Sequence, residues 1–74
     1  MNFEQAMNFT YTGTGAMVTR SAFSDQVYIM RDLRVGGENP PLYLNNEEGT
    51  KLYVPSPEDK SATDWKEFNF PWNQ

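Results

Sequence analysis

The residues best suited to chemistry in this chain lie in the stretch YVPSPEDKSATDW at positions 53–65. This stretch brings together a phenol, a hydroxyl and two carboxylates, at Tyr53, Ser56, Asp59 and Asp64. Paired carboxylates can hold a metal ion for hydrolysis, and Asp59 with Asp64 or Glu58 is the one such cluster in the chain. The same groups can also accept hydrogen bonds from a bound ligand without reacting.

The composition argues against catalysis. The chain has no histidine and no cysteine, which excludes disulfides, ordinary zinc sites and every histidine-based catalytic arrangement. No loop alternates Asp and Asn with Gly as calcium loops do. We therefore predict no enzyme, no catalytic residue, no metal site and no cofactor.

The charge balance restricts the partners. With six basic and ten acidic residues, the net charge is -4, whereas a protein that binds a nucleic-acid polymer needs a basic face. The arginines, Arg20, Arg31 and Arg34, nevertheless fall within fifteen residues of each other, which suggests a local basic site for one small anion. No apolar run approaches the roughly 20 residues that span a bilayer, so no membrane contact is expected. The absence of cysteine fits a cytoplasmic location.

The length predicts one small domain that assembles with itself. A chain of 74 residues buries only about 60% of its unfolded surface. Small domains compensate with disulfides, a metal or oligomerisation, and the first two are excluded. We expect a single domain at 1–74, with the aromatic tail at 69–74, which carries Phe70 and Trp72, extended at a subunit interface.

The spacing of the residues predicts an α+β fold. Asn2 and Gln5 form a capping box before a short N-terminal helix that presents Phe3, Ala6 and Met7 on one face. Strands are predicted at 16–20, 26–35, 42–44, 50–54 and 64–68, which gives a small antiparallel sheet of four to five strands. The residues 45–49 form a five-residue hairpin connection between the third and fourth strands.

A helical turn is predicted before the last strand. Ser56 is its N-cap, Pro57 its first residue and Asp59 the closing residue of a second capping box. Capping alone would explain both Ser56 and Asp59. Other residues also have structural interpretations: Asp64 as a cap or partner of Lys66, and Arg20 as a solvated charge at a strand end. Trp65 is expected in the core or an interface, and Tyr28 and Met30 could line the buried face of the sheet.

Both ends of the chain resemble a family of phage-encoded sponge proteins that counter the Thoeris immune system. The resemblance is to the second type of these proteins. The spacing of Pro55, Ser56, Asp59, Ala62, Asp64 and Trp65 is similar to the family's C-terminal pattern, with Tyr53 where tryptophan is more common. The stretches NFEQAM and GAMVTRSAF resemble the family's N-terminal helix and first strand, with Phe23 in place of tryptophan.

The resemblance implies a function without catalysis. Such sponges form homotetramers and sequester immune messengers, notably glycocyclic ADP-ribose or cyclic oligonucleotides, in the cytoplasm of the infected bacterial host. The ligand residues expected here are Arg20, Phe23, Tyr28, Tyr53, Ser56, Asp59 and Asp64.

The residue types suit specific parts of such a messenger. Arg20 would hold a pyrophosphate, and the start of the helix at Ser56 would hold another phosphate. The rings of Phe23 and Tyr53 would stack on adenine. Asp59 and Asp64 would accept hydrogen bonds from ribose hydroxyls. Arg20, Phe23 and Tyr53 are expected to converge on one site where two subunits meet. The alternative function is that of a small acidic phage inhibitor that binds a host protein directly.

Overall fold

The computed structural model describes residues 1–13, 15–24, 26–34 and 40–69 of the chain. The elements in chain order are α1 (Phe3–Phe9), β1 (Met17–Arg20), β2 (Tyr28–Arg31), β3 (Leu42–Asn46), β4 (Gly49–Leu52), α2 (Pro57–Ser61) and β5 (Trp65–Glu67). The five strands form one antiparallel sheet in the order β4-β3-β2-β1-β5. The predicted α+β fold is confirmed. Neither helix in the described part of the chain is long and apolar enough to cross a membrane.

Both helices begin at the capping boxes that the sequence predicts. The Asn2 side chain accepts from the Gln5 backbone N–H at 2.8 Å, and the Gln5 side chain accepts from the Asn2 N–H at 2.9 Å. Ser56 and Asp59 repeat the arrangement at α2, with Pro57 as its first residue. These bonds satisfy N–H groups that have no partner within a helix. The starts of both helices are therefore determined locally.

The core lies between one face of the sheet and the two helices. Its buried apolar residues are Ala6, Val18, Ile29, Tyr53 and Trp65. Ala6 comes from the predicted face of α1, and its neighbours Phe3 and Met7 pack against the same core. Trp65 is 2% exposed, which confirms that it belongs to the core.

The hairpin between β3 and β4 is tighter than predicted. Asn46 pairs with Gly49, so Glu47 and Glu48 alone connect the strands. A two-residue type I′ turn needs a positive φ at both central residues, and no described non-glycine residue has one. Gly49 takes a φ of 130°, a backbone conformation that residues with a side chain rarely adopt. This conformation allows the two glutamates to connect the strands. The prediction of a five-residue connection at 45–49 was wrong, because Asn45, Asn46 and Gly49 pair across the two strands and leave a two-residue connection.

The second strand, β2, is also shorter than predicted, and its faces are now assigned. Ile29 and Arg31 are buried on the core side, whereas Tyr28 and Met30 are half-buried on the other side. The interpretation that Tyr28 and Met30 line the buried face was therefore wrong, because helices cover only the Ile29 side.

The opposite side of the sheet carries mostly apolar side chains and no described helix. We call it the open face. By strand alternation and cross-strand pairing its apolar and aromatic residues are Met17, Tyr28, Met30, Tyr43, Leu52 and Phe68, and Thr19, Asn45, Thr50 and Lys66 share it. Tyr28 and Phe68 stack on it with ring centroids 4.7 Å apart. The predicted tail residues Phe70 and Trp72 lie outside the described residues.

Candidate ligand-binding site

Four of the predicted site residues form one hydrogen-bonded group, which we call the Arg20 cluster: Arg20, Tyr53, Asp59 and Asp64. Arg20 Nε donates to Asp64 Oδ1 at 2.7 Å, and Arg20 Nη1 donates to Asp59 Oδ1 at 2.9 Å. The Tyr53 hydroxyl donates to the second Asp59 oxygen at 2.7 Å. Charge-assisted bonds this short are among the strong ones in proteins.

The elements around the cluster explain how it forms. Arg20 ends β1 and is paired with Trp65 at the start of β5, which puts Asp64 beside the guanidinium. The Asp64 carboxylate also accepts from the Ala22 backbone N–H at 3.2 Å. The capping box of α2 fixes Asp59, and Trp65 Nε1 donates to the Asp59 carbonyl at 3.1 Å. The aromatic residues at the two ends of the stretch 53–65 therefore hold its polar middle in place.

Burial increases the contribution of these hydrogen bonds to stability. Arg20, Tyr53 and Asp59 are each 8–9% exposed, whereas the Asp64 side chain is 32% exposed. Partners removed from water interact more strongly than on the surface, and each is costly to leave unpaired. The interpretation of Arg20 as a solvated charge was wrong, as was the pairing of Asp64 with Lys66, because Arg20 and Asp64 bind each other.

The cluster shifts the ionisation of its members in consistent directions. The Arg20 guanidinium lowers the pKa of Asp64. Burial would raise the pKa of Asp59, but hydrogen bonds from Tyr53, Arg20 and the Ser56 N–H outweigh it, so this pKa is lowered too. Burial, together with the bond to Asp59, raises the pKa of Tyr53 well above its ordinary value. Both carboxylates are charged and the phenol is neutral at physiological pH.

The charges of the cluster do not favour an anion at Arg20. One guanidinium faces two carboxylates, and Glu58 Oε1 lies 3.9 Å from Arg20 Nη1 as a third. Like charges nearby disfavour a phosphate at this position. The partly exposed carboxylate of Asp64 is better suited to accept a hydrogen bond from a hydroxyl group in a neutral part of a ligand.

Phe23 borders the cluster, and Tyr28 does not. The Arg20 guanidinium carbon lies 5.6 Å from the Phe23 ring centroid, and the Phe23 ring packs edge-on against Trp65 at 5.9 Å. Tyr28 lies on the open face. The structure thus brings together Arg20, Phe23, Tyr53, Ser56, Asp59 and Asp64, while Tyr28 is separated from them by the sheet.

Ser56 already has its hydrogen-bond partners within α2. Its hydroxyl oxygen accepts from the Asp59 backbone N–H at 3.1 Å, and its own backbone N–H faces an Asp59 oxygen at 3.5 Å. The Asp59 carboxylate therefore occupies the anion position at this helix start.

Two surface grooves open beside the cluster. The first, which we call the β1–β5 groove, has a volume of about 490 Å³ and is lined by Thr19, Arg20, Ser21, Phe23, Ser24, Gln26, Lys66, Glu67, Phe68 and Asn69. The second, of about 370 Å³, is lined by Leu44, Lys51, Leu52, Tyr53, Val54 and Asp59. Arg20 and Phe23 therefore border one groove, while Tyr53 borders the other. The sequence analysis did not identify Lys66 and Gln26 as residues of this groove. The only signal in the sequence was that Lys66 follows Trp65 in a strand, so the two side chains lie on opposite faces.

The three arginines do not share a site. β1 and β2 are antiparallel, with Met17 opposite Met30, so Arg20 and Arg31 lie at opposite ends of this strand pair. Arg34 is bound to Asp32 at 3.1 Å. The expectation of one basic site formed by all three arginines was wrong, because the window of fifteen residues spans a turn of the chain that separates Arg20 from the other two. In the described part of the chain no three acidic residues lie close enough together to hold a metal ion.

The family model of the Tad2-like domain, described as Thoeris anti-defense 2-like, matches residues 1–68. The chain belongs to the Tad2-like family. The resemblance seen at both ends of the sequence is therefore confirmed, and the match also covers the divergent middle. No curated protein gave a significant match.

Membership assigns this Tad2-like domain a role in phage anti-defence against Thoeris immunity. The match spans every residue of the Arg20 cluster and both grooves except Asn69.

Proposed function

We propose that this Tad2-like domain binds and sequesters a cyclic nucleotide-derived immune messenger, glycocyclic ADP-ribose or a cyclic oligonucleotide, without cleaving it. The observation that carries the proposal is the β1–β5 groove, whose wall includes the Phe23 ring and Lys66 beside Arg20, the residue that binds the carboxylates of the cluster. Sequestration needs tight and reversible contacts rather than a nucleophile or a general base. It would take place in the cytoplasm of the infected bacterial host.

The electrostatics of the cluster assign different roles from those that the sequence suggests. Arg20 acts as a positioning residue that holds Asp59 and Asp64, because its Nε and Nη1 already donate to them. Asp64 accepts a hydrogen bond from a ribose hydroxyl, and the ring of Phe23 packs against a base. Lys66, exposed and on the wall of the groove, supplies the positive charge for a phosphate.

We propose further that the working form is a homo-oligomer, and the resemblance points to a tetramer. The described part of the chain has five buried apolar residues, which is a small core for a domain that must hold a ligand site rigid. A second copy would cover the part of the groove that the described residues leave open.

One experiment tests capture. The protein is incubated with glycocyclic ADP-ribose or a cyclic dinucleotide, freed of unbound ligand by filtration, denatured, and the released molecule is identified by mass spectrometry. We expect the messenger to be retained and returned intact. Recovery of a cleaved product would indicate an enzyme, whereas no retention of any messenger would favour direct binding to a host protein.

Matched variants locate the site. Lys66→Gln removes a positive charge from the β1–β5 groove, and Lys60→Gln removes the same charge from the exposed side of α2. If Lys66 donates to a phosphate, its loss weakens binding about tenfold, while Lys60→Gln leaves the affinity unchanged. Equal effects of both variants would show that the groove is not the site.

A further inference from the structure

Arg31 is a buried guanidinium whose hydrogen-bond partners among the described residues are all neutral. Its side chain is on the core face of β2, and the residue is 8% exposed. Nε donates to Thr10 Oγ1 at 3.0 Å, and Nη1 donates to the Pro40 carbonyl at 2.9 Å. The Tyr11 ring centroid lies 3.9 Å from the guanidinium carbon. The ion pairs of the described residues involve Arg20 and Arg34 and leave Arg31 without a carboxylate.

This arrangement leaves a positive charge uncompensated. An arginine stays protonated in proteins, and a buried charge is costly unless an opposite charge accompanies it. Carbonyl and hydroxyl oxygens and the face of an aromatic ring reduce this cost without neutralising the charge. The surroundings of Arg31 therefore favour an added anion.

The second terminal nitrogen of Arg31 is free to bind one. Nη2 has no hydrogen-bond partner among the described residues. Arg31 lines a surface pocket, and Nη2 is the nitrogen of its guanidinium to which no described residue is bonded.

A pocket of about 300 Å³ lies at this position, lined by Met30, Arg31, Asp32, Leu33 and Arg34. Arg34 extends from its rim, with a side chain that is 86% exposed and paired with Asp32 through Nε and Nη2. Two guanidinium groups and one carboxylate leave a local charge of +1 in a chain whose net charge is -4. The volume is at the lower limit for small-molecule sites.

We propose that this pocket at the end of β2 binds a phosphate group, held by Arg31 Nη2 and by Arg34. The fork of donors on a guanidinium matches the oxygens of a phosphate. The site lies at the opposite end of the β1–β2 pair from the Arg20 cluster, so it is additional to the proposed messenger groove. Inorganic phosphate and the phosphate of a nucleotide are two sources of the same chemistry.

Nitrogen-15 NMR of the arginine Nε–H groups tests the site directly. Inorganic phosphate, and separately adenosine monophosphate, are titrated into the millimolar range at constant ionic strength, with chloride as the reference anion. We expect a saturable shift of the Arg31 resonance that chloride does not produce. A shift with inorganic phosphate identifies the free ion as sufficient, and a shift with the nucleotide alone shows that the phosphate must be carried on a nucleoside.

Charge variants then distinguish a specific phosphate site from a general effect of the protein's charge. Arg34→Gln, at an exposed side chain that the fold does not need, should weaken phosphate binding about two- to fivefold. Lys60→Gln removes the same charge elsewhere and should not. Arg31→Lys keeps the charge but loses the fork, and should also bind more weakly while remaining folded.

Two results would overturn the proposal. The first is the absence of a saturable Arg31 shift with either phosphate source, and the second is an equal loss of affinity in Arg34→Gln and Lys60→Gln. Messenger capture is measured separately by filtration, so either hypothesis can fail without the other.

Discussion

At the scale of the residue, Arg20 shows how a side chain whose type suggests ligand binding serves the structure. A guanidinium at a strand end near an aromatic ring is typical of an anion site, yet here two carboxylates bind it. The hydrogen bonds of the cluster are satisfied internally, and Phe23 lies beside Arg20 on the wall of the β1–β5 groove. Rigid neighbours raise affinity because less conformational entropy is lost on binding.

The bond from Tyr53 to Asp59 should stabilise the fold. Tyr53→Phe leaves the buried carboxylate without its shortest donor, and we expect the free energy of unfolding to fall by about 1.5–3 kcal/mol. Urea denaturation measures the change. Tyr43→Phe is the matched control, since the Tyr43 hydroxyl has no hydrogen bond to any described residue, and it should change stability little. Equal effects of the two variants would contradict the assigned role.

The lowered pKa values of Asp59 and Asp64 predict a loss of stability in acid. Below about pH 5 the unfolded chain binds protons at these carboxyls before the folded chain does, so acid favours unfolding. The contribution is fully present at neutral pH and disappears as the pH falls through the lowered folded values. Asp64→Asn should flatten this part of the curve of unfolding free energy against pH. A slope identical to that of the unsubstituted protein would show that Asp64 is not involved.

At the scale of the element, short local devices decide where each element starts and stops. The capping boxes of α1 and α2 each use two residues three positions apart. The β3–β4 hairpin depends on one glycine in the same way, because Gly49 alone supplies a positive φ there. These devices compensate for helices of seven and five residues, which would not be stable in isolation.

Gly49→Ala tests the hairpin. A side chain at a φ of 130° is strained even though no heavy atom lies within 4 Å of the added carbon. We expect a loss of about 1 kcal/mol or more in unfolding free energy. Gly15→Ala is the control, because the added carbon there also meets open space without the unusual φ. If thermal denaturation gave equal melting temperatures for the two variants, the hairpin would not depend on Gly49.

At the scale of the whole molecule, the two sides of the sheet differ in what covers them. The helices bury the Val18 and Ile29 side, while the open face presents half-buried methionine and tyrosine side chains. Asp59 of the α2 capping box and the hairpin residues Glu47 and Glu48 lie off the strand positions of this face, and Lys66 is its one charged residue in the described strands. This contrast makes the open face the surface where self-assembly is expected.

Met30→Lys should therefore disrupt the assembly. The substitution puts a charge at the centre of the open face, where burial against a second copy would desolvate it. Light scattering should give four times the chain mass of 8.5 kDa for the unsubstituted protein and a lower mass for Met30→Lys. Ser61→Lys, at an exposed position of α2, should assemble normally. A mass of 8.5 kDa for the unsubstituted protein would refute self-assembly.

The sequence by itself determined the α+β fold and both helix starts, and it put Trp65 in the core or an interface. These features depend on hydrogen bonds between residues three positions apart and on alternation within a strand, so a short stretch contains all the information. It also selected six residues that the fold brings together, because the stretches 15–23 and 53–65 resemble those of a known family.

Only the tertiary structure decided what those residues bind. Arg20 meets Asp59 and Asp64 across 39 and 44 positions of chain, a pairing that depends on β1 lying beside β5 in a particular register. The same holds for Arg31, whose burial follows from the side of the sheet that α1 covers, and for Tyr28, which the sheet separates from the cluster. Contacts between distant segments depend on the packing of the whole core, and no local pattern encodes them.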